Sequence, residues 1–95
     1  MMMAARRRSK SRILFDILAS VEKKGGRIKP THILYSANLA HNRMKGYLDF
    51  LLEKGFIAET DVDGRLYYEL TDKGKTFLRE YERIEQFAEA FGVEF

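Results

Sequence analysis

The residues of this 95-residue chain best suited to chemistry are cations, and they are gathered rather than scattered. Arg6, Arg7, Arg8, Lys10 and Arg12 form one cluster, Lys29 with Thr31 and His32 a second, and Asn42, Arg43 and Lys45 a third. Guanidinium and ammonium groups in such clusters suit a polyanion, which they bind by charge-assisted hydrogen bonds and by releasing its counterions. Residues 1–45 carry eleven Lys or Arg against Asp16 and Glu22, a balance of +9, while residues 46–95 carry six against twelve acidic residues, a balance of −6. A single charge run is equally well a solvated face. Segregation by halves favours a polyanionic partner for one of them.

The other reactive side chains do not assemble into a catalytic set. There is no Cys, which removes disulfides, thiolate chemistry and Cys-ligated metal, and fits a reducing, cytoplasmic setting. His32 and His41 lie nine residues apart with no third ligand in motif spacing, so no metal site is expected. Asp61-Val62-Asp63-Gly64 has part of a calcium-loop pattern but lacks the remaining ligand positions and suits a hairpin turn better. No Gly-rich phosphate loop and no Ser-centred nucleophile motif is found, so an enzyme is not expected and no cofactor is implied. No apolar run approaches the roughly 20 residues of a membrane span, and no apolar segment follows the basic start, so neither a membrane nor a signal peptide is expected.

The elements that must position these residues follow from periodicity. Residues 1–10 lack an apolar period and are expected as a flexible basic arm. From Ser11, the positions Ile13, Leu14, Ile17, Leu18 and Val21 recur at helical spacing until Gly25-Gly26 stops a first helix. Pro30 suits the first turn of a short second helix that buries Ile33 and Leu34 and ends near Ala37-Asn38. A third helix is predicted over Ala40 to Lys54, with Met44, Tyr47, Leu48, Leu51 and Leu52 on one stripe and Gly55 as its stop. Phe56 to Val62 and Arg65 to Leu70 read as strands joined by Asp63-Gly64, a two-residue turn whose positions both accept positive φ. Thr71 caps a fourth helix over about Asp72 to Ala90. Residues 11–71 thus make one domain and residues 72–95 a C-terminal helical extension.

Three helices, a tight turn between the second and third, and a hairpin give a mainly α, α+β fold: a winged helix-turn-helix. The third helix is then the candidate reader of a DNA major groove, which admits one helix. Opposite its apolar stripe stand Asn42, Gly46, Asp49 and Glu53, flanked by Arg43 and Lys45, so the leading turns are neutral to basic and the trailing turns acidic. Asn42 suits an adenine edge, Arg43 a guanine or a phosphate, and Lys45 a phosphate. Gly46 weakens a helix by about 0.5–1 kcal/mol, which a close backbone approach would explain; an inconsequential surface glycine is the equal alternative. His41 is a DNA contact or a structural helix-start residue. Lys29 and Thr31 stand where the exposed N–H groups of the second helix favour a phosphate, and Arg65 flanks the wing beside Asp61 and Asp63. Arg6, Arg7, Arg8 and Arg12 suit a minor groove or phosphates.

Asn38-Leu39, the block Tyr47-Leu48-Asp49-Phe50-Leu51-Leu52-Glu53-Lys54-Gly55-Phe56-Ile57 and the step Tyr68-Glu69-Leu70-Thr71-Asp72-Lys73-Gly74 resemble the small archaeal winged helix-turn-helix regulators, including chromatin-type members whose last helices form an antiparallel coiled coil. The resemblance covers about residues 11–91. It implies double-stranded DNA binding by the third helix and wing, and dimerisation through the last helix. Ala40 and the acidic wing depart from the family pattern, since relatives often carry a capping Ser at the first position. The fourth helix agrees with the dimer: Phe77, Tyr81, Ile84, Ala88 and Phe91 are spaced 4, 3, 4 and 3 as a heptad seam, with Leu78 and Phe87 left to pack on the domain. Packing of the whole helix on its own domain is the alternative, as are a winged helix used for protein contact and one that binds RNA.

Overall fold

The computed structural model describes residues 8–37 and 41–93. The elements are α1 (Lys10–Lys23), β1 (Arg27–Ile28), α2 (Pro30–Ala37), α3 (His41–Glu53), β2 (Ile57–Val62), β3 (Arg65–Leu70) and α4 (Asp72–Ala90). The architecture is α+β, four helices with one small antiparallel sheet in the order β1-β3-β2. Residues 1–7, with Arg6 and Arg7, and the expected turn at Asn38, Leu39 and Ala40 lie outside the described residues.

Every apolar position predicted for the first helix is buried: Ile13, Leu14, Ile17, Leu18 and Val21. They meet Ile28, Ile33, Met44, Leu48, Leu51, Ile57, Leu70 and Leu78 in one core between the helices and the sheet. Each such side chain contributes roughly 1.5–3 kcal/mol by leaving water, which is why these helices form although each is short in isolation. The first helix begins at Lys10, one residue before the expected start, because Ser9 caps it by accepting from the Arg12 N–H at 3.1 Å. The expected arm therefore surrenders its last residue to the helix.

The short strand β1 was not foreseen. Its two residues pair with β3, Arg27 opposite Glu69 and Ile28 opposite Tyr68, and two residues are too few to show an alternating pattern. The wing is as expected, with Asp63 at φ 53° and Gly64 at φ 79° between β2 and β3.

The base of the wing is welded to α4. Thr71 accepts from the Gly74 N–H at 3.1 Å, and its hydroxyl proton is shared between the carbonyls of Gly55 at 2.6 Å and Phe56 at 2.9 Å. Gly74 is required there, because a Cβ would stand 2.2 Å from the Phe56 carbonyl oxygen and 2.7 Å from Leu70 Cδ1. This close approach accounts for the Thr-Asp-Lys-Gly step. At its far end α4 is sealed: the Val93 N–H donates back to the Ala88 carbonyl at 2.7 Å and the Gly92 N–H to Glu89 at 3.1 Å, with Gly92 in the left-handed region.

Candidate nucleic-acid interface

The apolar stripe of α3 anchors it by Met44, Leu48 and Leu51, which turns Asn42, Arg43, Lys45 and Gly46 out to solvent. No acidic residue stands in its first turn, so the leading edge is a neutral to basic surface on a rigid rod. Arg43 donates to the Tyr47 hydroxyl at 3.5 Å, a weak tether that leaves its charge whole. Lys45 instead donates to Asp49 at 3.4 Å, an exposed i, i+4 pair that offsets part of its charge. Nothing lies within 4 Å of a Cβ built on Gly46, so the fold makes no demand for glycine there. His41 opens α3.

The other predicted contacts are spread over three elements. Lys29 precedes α2 and is half-buried, and Thr31 and His32 are exposed in its first turn. Arg65 is exposed at the start of β3 opposite Val62, with exposed Asp61 and Asp63 around it. The described part of the arm does not stand ready for a ligand. Arg8 donates to Asp16 at 2.8 Å, and Arg12 pairs with Asp16 at 3.2 Å and with Glu85 of α4. Burial opposes the Arg12 charge, but Asp16, Glu85 and Tyr81 outweigh it and raise the guanidinium pKa. Arg12 thus bridges α1 to α4 and Arg8 is tied to α1, so both expected DNA contacts have carboxylate partners within their own chain.

Between α3, the start of α2 and the sheet lies a groove of about 380 Å³ with an apolar floor at Met44 and Leu48 and with Asp49, Glu59 and Tyr68 on its walls. Burial raises the Tyr68 pKa, and the carboxylates of Glu59 and Asp49 raise it further, while Lys45 lines the same groove. Among the described residues no group of His, Asp or Glu is arranged to hold a metal ion, and no helix is long and apolar enough to cross a membrane.

The proposed heptad seam of α4 divides. Phe77 meets Phe56 edge-on at 5.1 Å, Tyr81 stacks on Phe15 of α1 at 4.5 Å, and Ala88 is 6% exposed, so these three residues pack on their own chain. Leu78 is buried as expected. Phe87, expected to pack on the domain, is 66% exposed; with Ile84 at 49%, Phe91 at 70% and Val93 at 59% it forms a bare apolar stripe. The 3 and 4 spacing of Ile84, Phe87 and Phe91 was visible in the sequence. The direction in which it points was not.

A family model described as winged helix-turn-helix matches residues 7–89. Among curated proteins, an uncharacterized protein of Methanocaldococcus jannaschii is 37% identical over 78 residues, which are 82% of this chain and 34% of that protein. A second uncharacterized protein of the same archaeon is 39% identical over 69 residues, 73% of this chain and 65% of that one. The chain therefore spans less than two thirds of the length of either. Among solved structures, Sso10a-2, a DNA-binding protein from Sulfolobus solfataricus, superposes with a TM-score of 0.73 at 28% identity over 90% of this chain and 85% of that one. F93 from STIV, a winged-helix DNA-binding protein, gives a TM-score of 0.64 at 18% identity over 76% and 85%, a likeness of fold.

Proposed function

This chain belongs to the winged helix-turn-helix family, and on that premise we propose that it binds double-stranded DNA through the leading half of α3. The observation that carries the reading is the exposed, acid-free edge formed by Asn42, Arg43, Lys45 and Gly46 on a helix whose opposite side is locked into the core. Asn42 faces an adenine edge, Arg43 a guanine or a phosphate, and Thr31 and Lys29 hold the adjacent backbone. Arg6 and Arg7 extend the contact along the duplex, while Arg8 and Arg12 join it only by releasing Asp16 and Glu85. Arg65 and the acidic wing contribute little. His41, which opens α3, is proposed as a further contact at this edge. The likeness to Sso10a-2 supports the same reading.

The protein acts as a homodimer, joined through the bare stripe of Ile84, Phe87, Phe91 and Val93 on antiparallel copies of α4. Two reading helices then face symmetric half-sites, as in a transcription regulator or a chromatin-type protein at the nucleoid. The test is an anisotropy titration with random and selected duplexes at two salt concentrations. Asn42→Ala flattens sequence preference and Arg43→Ala weakens binding by about 1–3 kcal/mol if both meet DNA. Binding that ignores salt would turn the reading to a protein-contact module, which the exposed acids of the wing favour.

A further inference from the structure

Arg43, Tyr47, Phe50 and Lys54 follow one another along a single side of α3 and the residue that ends it, at spacings of 4, 3 and 4 residues. The fold adds two cations to this side from elsewhere in the chain. Lys10, the first residue of α1, places its ammonium 4.3 Å from the centroid of the Phe50 ring, and the Lys54 ammonium is 5.7 Å from the same centroid. Lys73 in the first turn of α4 donates to the Lys54 carbonyl at 2.6 Å and stands 5.0 Å from the Phe56 ring. Three elements distant in sequence thus deliver their lysines to one strip.

These cations are held differently from most others. Arg8, Arg12, Lys45, Arg79 and Arg83 each sit within 4 Å of a carboxylate, which cancels much of their charge. Among the described residues, no such ion pair involves Lys10, Arg43, Lys54 or Lys73. Aromatic faces hold Lys10, Lys54 and Lys73, a carbonyl also holds Lys73, and the Tyr47 hydroxyl holds Arg43, and these fix a position without neutralising it. A strip with ordered, uncancelled charge is suited to a row of phosphates. Away from this strip, Asp49 of α3 and Glu59 of β2 line the groove together with Lys45, and Glu53 is exposed beside Lys54 in the chain.

We propose that Lys10, Arg43, Lys54 and Lys73 form a track for the phosphates of one strand of the duplex, so that α3 lies in the groove tilted toward that strand. The track rests on the DNA-binding reading and extends it past the leading edge to the trailing end of α3. Arg43 to Lys54 covers about 16 Å at ~1.5 Å per residue, enough to pass several phosphates.

The test compares two double variants of the full chain that remove the same charge. Lys10→Gln with Lys54→Gln removes two members of the track; Lys23→Gln with Lys24→Gln removes two exposed lysines at the opposite end of α1. With a random-sequence duplex of about 20 base pairs, the slope of log K against log salt should fall in magnitude by about 1.8 for the first pair, at ~0.9 per phosphate contact, and stay unchanged for the second. Lys10→Arg with Lys54→Arg should retain the original slope, and thermal melting should show all variants folded. Equal changes in the two glutamine pairs, or none in the first, overturn the track while leaving the leading edge in place. Wild-type protein that ignores duplex DNA in dilute buffer removes the track and the DNA-binding reading together.

Discussion

The two halves of α4 carry the same kind of apolar repeat and meet opposite fates. In the first half Phe77, Leu78 and Tyr81 are taken up by Phe56, Phe15 and the core, and Gly74 lets the helix approach the wing closely enough for that. In the second half Ile84 stays half exposed, and Phe87 and Phe91 meet each other at 4.9 Å but remain largely exposed. The molecule measures 47 Å in its long dimension against 27 and 21 Å, which fits a helix of about 28 Å that outruns the domain beneath it. A heptad pattern fixes which residues share a face. How far the body of the protein extends under that face decides which of them stay dry.

The largest expected effect lies in the first half. Tyr81→Ala removes a stacked ring from a buried site and should cost about 3–5 kcal/mol in denaturant unfolding; a loss below about 1 kcal/mol would mean that the two halves are energetically alike. Gly74→Ala comes next, at about 1–3 kcal/mol, since the new methyl must displace the Phe56 carbonyl and Leu70. In the second half the expectation inverts. Phe87→Glu or Ile84→Glu should convert a dimer to a monomer in sedimentation equilibrium while changing unfolding of the dilute protein by no more than about 0.5 kcal/mol. An unchanged molar mass rules out the stripe as the joint. A small effect belongs at the boundary, where Glu85 reaches back to Arg12: with both side chains 40% exposed, Glu85→Ala should cost about 0.5 kcal/mol or less without changing the oligomeric state, and less still as salt is raised.

Much of this architecture was legible in order and type. The apolar stripe of α1, the Asp63-Gly64 turn and the Thr71 cap are local signals, each with its own steric or hydrogen-bonding cause, and they predict the structure without knowledge of anything distant. What escaped depends on contacts across the chain. Two residues of β1 acquire their strand conformation from Glu69 and Tyr68. Arg8 and Arg12 read as free cations until the fold brings Asp16 and Glu85 to them. Lys54 comes to share the Phe50 ring with Lys10, and Lys73 to bond the Lys54 carbonyl, only in the fold. The sequence thus names the exposed leading edge of α3, while the lysines gathered at its trailing end become neighbours only in the fold.

The back-turned bond from Val93 to Ala88 gives α4 a definite last residue. A rod with a fixed stop behaves as a spacer of set length: in a pair of chains joined along it, the distance between the two reading heads is a matter of arithmetic on residues, about 1.5 Å for each. Adding or deleting one helical turn beyond Glu85 would then change which separation of half-sites the pair can span, with no change in what either head reads.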